Sequence, residues 1–150
     1  MTAILDEDRR CALYARSATV GGEADSVNEQ VTKLTDYCSG RGWKNITVYK
    51  DEGFSGNTFK RPAFKKLIAD VQAGLINAVV VEHPDRFTRQ IINITPLLIF
   101  FQAYGVDVFF LADTKTTYPI DLSKKIAIYS RYGDAEQIIV DTFINQILTE

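Results

Sequence analysis

Hydrophobic and polar positions along this chain change period repeatedly, from short apolar runs to spacings of three and four. The first run, Cys11-Ala-Leu-Tyr14-Ala-Arg16-Ser17-Ala18-Thr19, reads as a buried strand that ends in polar side chains. Tyr14, Arg16 and Ala18 are spaced by two and share one face of that strand, whereas Ser17 and Thr19 turn to the other. Ser26-Val-Asn-Glu29 has the form of a capping box. The helix it opens carries Val27, Val31, Leu34 and Cys38 on its inner side and stops at Gly40 and Gly42, with Gln30 one turn from its start. Ile46-Thr-Val-Tyr-Lys50 predicts a second strand, and Asp51 to Pro62 a glycine-punctuated loop long enough to be functional. Pro62 suits the first turn of a second helix, whose stripe is Phe64, Leu67, Ile68 and Val71 before Gly74 stops it.

Ala78-Val-Val-Val81 is a third strand, apolar on both faces as in a buried parallel sheet, and Glu82-His83-Pro84-Asp85-Arg86-Phe87-Thr88-Arg89 puts charge at its carboxyl end. Ile91 to Tyr104 has a helical pattern in which Pro96 either starts the regular part or kinks it. Val106 to Leu111 is a fourth strand, and residues 112–121 connect it to a helix running from Leu122 to the end. That helix, with Ile126, Tyr129, Tyr132, Ile139, Phe143 and Ile147 as its apolar side, would extend about 40 Å. Two readings stay open: the stripe packs on another subunit, or the helix breaks at Gly133 and folds back on its own sheet. The alternation of strands and helices predicts an α/β fold with a mostly parallel four- to five-stranded sheet flanked by helices. In such sheets ligands bind just outside the carboxyl ends of the strands.

A chain of 150 residues fits one core. Residues 1–9 read as a flexible leader, 10–121 as the α/β domain and 122–150 as the terminal helix. The longest apolar run, Leu97 to Phe101, falls far short of the roughly 20 residues that span a bilayer. The polar first ten residues do not form a secretory signal, so a cytoplasmic protein without a membrane partner is expected. Cys11 and Cys38 have neither metal nor disulfide spacing and read as buried reduced thiols. A net charge of −2 excludes a domain that holds nucleic acid by bulk electrostatics; if DNA is the substrate, another module supplies most of the affinity.

Candidate chemistry gathers at three strand ends: Tyr14 and Arg16; Asp51, Ser55 and Arg61; Asp85, Arg86 and Arg89. Guanidinium groups brought to one rim repel unless an anion offsets them, and the donor fork of arginine matches phosphate oxygens. Phosphoryl chemistry follows. The chain carries no Walker loop and no G-x-G-x-x-G, so no nucleotide cofactor is expected. Neither is a metal, because His83 is the sole histidine and reads as a surface loop imidazole beside Pro84.

Taken together, Tyr14-Ala-Arg16, Ser26-x-x-x-Gln30, Asp51-Glu-Gly-Phe-Ser55-Gly56 with Arg61-Pro62, and Asp85-Arg86-x-x-Arg89 resemble the ordered motifs of the serine recombinases, the resolvase/invertase and large serine integrase group. The resemblance covers about residues 10 to 111 well and the last helix more weakly. It implies a metal-free strand exchange on double-stranded DNA in which a serine attacks the scissile phosphate, forms a 5′-phosphoserine and is released by reversal within a tetramer. By that resemblance Arg16, Arg86 and Arg89 grip the phosphate, and Arg61 closes the site. Asp85 orients arginines, Gln30 and Ser55 support the pocket, and Tyr14 shapes it. The terminal helix would mediate a homodimer or homotetramer, with a DNA-binding region beyond this chain.

The chain departs from the family where the nucleophile belongs, two residues after Arg16. Ala18 stands there, and alanine has no oxygen to attack with. Glu136-Gln137, where relatives often show Glu-Arg, and Glu82-His83-Pro84 before the Asp-Arg pair are further departures. Three functions stay open: a recombinase domain inactivated at position 18, a natural non-cleaving relative that associates with DNA or oligomerises, and a small phosphate-ester binding or hydrolysing domain.

Overall fold

The computed structural model describes residues 8–20, 26–111 and 134–150. Within them β1 (Arg10–Ser17), β2 (Asn45–Glu52), β3 (Ala78–Val81) and β4 (Asp107–Phe110) form one sheet in the order β2-β1-β3-β4, with every neighbouring pair parallel. From β1 the chain steps outward to β2 and then returns across β1 to β3. Right-handed crossovers therefore place the first connecting helix on one face and the later ones on the other. The packing follows this rule. On one side Cys11 and Leu13 of β1 and Ala78 and Val80 of β3 meet Leu34 and Cys38 of α1 (Val27–Gly40). On the other, Ala12, Tyr14, Val79 and Val81 meet Phe64 and Leu67 of α2 (Pro62–Gln72) and Leu97 and Phe101 of α3 (Ile94–Ala103).

Local chemistry starts these helices as expected. The Ser26 side chain caps α1 by accepting a hydrogen bond from the backbone N–H of Glu29 at 3.2 Å. Pro62 opens α2, and Phe64, Leu67, Ile68 and Val71 are buried. Pro96 lies in the first turn of α3, where its missing N–H has no intrahelical acceptor to lose, so it starts the helix after a 3-10 turn at Ile91–Asn93. In α1 the expected stripe changes by one place: Gln30 is fully buried while Val31 is half-buried, because Gln30 faces the end of β1.

The last helix, α4 (Asp134–Thr149), packs against α2 and α3. Val140, Ile144 and Ile147 are buried, and the Phe143 ring meets Phe59 edge-on at 5.6 Å. Of the two readings of the terminal stripe, residues 134–149 follow the fold-back, since burial of these apolar side chains on the chain's own core is available without a second copy. Residues 112–133, with the expected connecting loop, Ile126, Tyr129, Tyr132 and Gly133, lie outside the described residues, as do residues 1–7 of the expected leader. Arg9, the leader's last residue, is fixed: its Nη1 donates to Asp107 Oδ2 at 2.7 Å. Cys11 and Cys38 are free thiols in the interior. No helix among the described residues is long and apolar enough to cross a membrane.

Candidate functional site

The strand order reverses between β1 and β3, and in a parallel sheet the crevice at that reversal opens at the carboxyl edge. The end of β1, the loop after β2 and the segment after β3 meet there. Gly53, at φ +82°, makes a turn that any residue with a Cβ would strain. Its N–H and that of Phe54 both donate to the carbonyl of Ser17, at 2.8 and 3.0 Å, so the β2 loop is laid across the end of β1. The strand stops at Ser17 and residues 18–20 bend away. The alternation that put Ala18 beside Arg16, and turned Ser17 and Thr19 from it, thus ends one residue early. Ala18 and Thr19 are exposed, and Ser17 Oγ donates to the carbonyl of Thr19 at 2.8 Å.

Arg16 is entirely buried. Its Nε donates to the carbonyl of Arg86 (3.1 Å), Nη1 to that of Phe54 (3.0 Å) and Nη2 to that of Asp85 (2.8 Å). One guanidinium thereby ties the β2 loop to the segment after β3. Burial, and next to it the charge of Arg61, pushes the Arg16 pKa down to about 10, so the group is still a cation at neutral pH. Gln30 grips the Arg16 backbone like a neighbouring strand: Oε1 accepts from its N–H at 3.2 Å, and Nε2 donates to its carbonyl at 2.9 Å. Arg86 Nη1 donates to that same carbonyl at 3.1 Å.

A second buried network lies beneath. Arg61, also without exposed surface, donates through Nε to the carbonyl of Thr58, through Nη1 to Tyr14 Oη and the carbonyl of Arg86 (each 3.0 Å), and through Nη2 to the carbonyl of Phe87. Tyr14 Oη donates a hydrogen bond to Asp51 Oδ2 at 2.8 Å. Burial holds the Tyr14 phenol above its ordinary pKa, only partly opposed by the charge of Arg61. Asp51 in turn accepts the N–H groups of Ala63 and Phe64, both at 2.9 Å. It thus satisfies the first turn of α2, to which the N-cap residue Arg61 offers no side-chain acceptor.

These bonds replace the anion expected to offset clustered arginines: carbonyl dipoles surround Arg16 and Arg61. Arg86 and Arg89 remain at the surface of the crevice. Arg86 is half-buried, with Nε 3.9 Å from the exposed carboxylate of Asp85, so it is the backbone carbonyl of Asp85 that orients Arg16. Arg89 is exposed, and its guanidinium has no hydrogen-bond partner among the described residues. Its backbone N–H donates to the carbonyl of Gly56 at 2.9 Å, which joins the two loops again. Ser55 is exposed and its Oγ accepts the N–H of Asn57 at 3.0 Å. His83, expected as a surface loop imidazole beside Pro84, keeps 42% of its side chain exposed and lies 3.6 Å from Glu82, whose other oxygen is 3.7 Å from Lys33 Nζ. Among the described residues no group of three His, Cys, Asp or Glu side chains could hold a metal ion.

The sequence-predicted residues Tyr14, Arg16, Gln30, Asp51, Arg61, Asp85, Arg86 and Arg89 thus come together at one edge. Missed were the carbonyls of Phe54, Thr58 and Phe87, for which a sequence holds no signal, and Gly56, whose signal was its place beside Ser55.

Residues 11–139 match the family model "Resolvase, N terminal domain", and the chain belongs to that family. Over 87 residues it is 37% identical to a protein of Bacillus subtilis (strain 168) named "Putative DNA recombinase"; the alignment covers 55% of this chain and 16% of that protein. A protein of Bacillus phage phi105, "Uncharacterized immunity region protein 3", is 29% identical over 77 residues, which cover 49% of this chain and 94% of the phage protein. The N-terminal catalytic domain of TP901-1 integrase superposes with a TM-score of 0.67 at 30% identity, over 84% of this chain and 98% of that one. The fold, a parallel sheet flanked by helices, is that of serine recombinase catalytic domains.

Proposed function

We propose that this chain is the catalytic-domain type of a site-specific DNA recombinase that holds a DNA backbone phosphate and, with Ala18 at the nucleophile position, does not cleave it. The observation that carries the reading is the division among the arginines. Arg16 and Arg61 are locked to carbonyls and fix the two loops, whereas Arg86 and Arg89 stand at the rim, Arg89 with its donors unpaired among the described residues. Unpaired guanidinium donors beside others already neutralised are what a phosphate diester needs for charge-assisted hydrogen bonds. A direct grip by Arg16 would require its three carbonyl bonds to open, so Arg89 is the first contact, beside Arg86, which is itself bonded to the Arg16 carbonyl. In an active relative, a hydroxyl at position 18 would attack the phosphorus, the 3′-oxygen would leave, and the phosphoserine ester would conserve the bond for rejoining. Partners are double-stranded DNA and a second copy of the chain.

Ala18 also favours a second reading, a relative that pairs with active recombinases without cutting. Restoring the hydroxyl separates the two. Ala18→Ser protein incubated with a nicked duplex library should yield a denaturation-resistant protein–DNA adduct if the rest of the machinery is intact, and the unaltered chain should yield none. An Ala18→Ser protein that binds duplex but gives no adduct would establish the non-cleaving reading.

A further inference from the structure

Resting on the phosphate reading above, we propose that Gly56 is the positioning residue for Arg89, holding the phosphate-binding guanidinium in place before DNA arrives. Gly42, Gly53, Gly74 and Gly105 have positive φ, but Gly56 does not, so its backbone makes no demand for glycine. Space does. A Cβ at position 56 would lie 2.7 Å from Arg16 Nη2, 2.9 Å from Arg16 Cζ and 2.8 Å from Arg89 Cγ. Arg16 cannot give way, since its nitrogens are bonded to carbonyls on both loops. The backbone cannot either, because the N–H of Arg89 is bonded to the carbonyl of Gly56 itself. Only the Arg89 stem is free to move.

The bare Cα of Gly56 therefore makes the slot through which the Arg89 stem passes beside the guanidinium of Arg16. The slot sets the direction of the stem, and repulsion from Arg16 and Arg86 keeps its head turned toward the rim. A cation ordered in this way loses less side-chain freedom when it binds than an ordinary exposed arginine. The β2 loop, which carries none of the rim guanidiniums, thereby controls the strength of the phosphate contact.

The test is a double-substitution cycle on the full chain, read by fluorescence anisotropy of a short labelled duplex at several salt concentrations. Gly56→Ala and Arg89→Gln should each weaken binding by about tenfold. Each should also lower the slope of log affinity against log salt by about one. The double variant should bind no more weakly than either single one. A Gly56→Ala protein with unchanged affinity and slope, or losses that multiply in the double variant, would overturn the inference. Absence of any effect from Arg89→Gln would instead remove the phosphate reading, and the inference with it. If Gly56→Ala does not fold, 15N relaxation of the Arg89 Nε–H in the unbound chain decides: an ordered side chain is expected, and free averaging would refute the slot.

Discussion

Arginines collect at both ends of this sheet, and the two ends treat them differently. At the amino edge Arg9 lies 5.6 Å from the Trp43 ring and 5.5 Å from that of Phe109, and Arg41 lies 4.9 Å from Tyr37 and 5.5 Å from Trp43. Aromatic faces stabilise both cations and the carboxylate of Asp107 also holds Arg9; the two cover the smaller core, Arg41 from the exposed surface and Arg9 with most of its side chain buried. At the carboxyl edge Arg16 and Arg61 are sealed inside and held by backbone carbonyls. A guanidinium on an aromatic face contributes modest packing energy and can be exchanged for other apolar cover. One whose donors tie carbonyls of separate loops cannot be removed without leaving those loops unsatisfied. The carboxyl edge is thus a frame for rim cations, and the amino edge is only a seam.

The contrast can be broken in order of expected effect. Arg61→Ala should lower stability the most, by about 3–5 kcal/mol in a denaturant melt, because it strands buried carbonyls and the Tyr14 hydroxyl together. Asp51→Asn should cost about 1–3 kcal/mol, since a charged acceptor shared by Tyr14 and the first turn of α2 is lost. Arg41→Gln at the amino edge should cost at most about 1 kcal/mol and leave duplex binding unchanged. Arg89→Gln should move stability least, within about 0.5 kcal/mol, while duplex affinity falls. An Arg41→Gln chain as unstable as Arg61→Ala would show that the two edges are not different in kind.

Much of this edge was legible in advance, for local reasons. Ser26 announces its cap and Pro62 its first turn, and Ala78–Val81 is apolar on both faces because helices cover both. The exceptions share one cause, contact between distant segments. Gln30 displaces Val31 from the inner side because the end of β1 needs its amide, and Ser17 ends its strand where the β2 loop crosses it. For α4, apolar spacing announced a buried stripe but not the surface that buries it.

Residue order by itself determined that Tyr14, Arg16, Asp51, Arg61, Asp85, Arg86 and Arg89 belong to one rim, because strand period and βαβ connectivity send every strand end to the same edge. That Arg16 and Arg61 are filled by the protein's own acceptors while the Arg89 guanidinium stands open among the described residues was decided only by the tertiary structure. Apart from the Tyr14 hydroxyl, the acceptors of Arg16 and Arg61 are main-chain carbonyls at Phe54, Thr58, Asp85, Arg86 and Phe87, and every residue type carries the same carbonyl. Only the path of the backbone brings those oxygens within reach of a buried guanidinium.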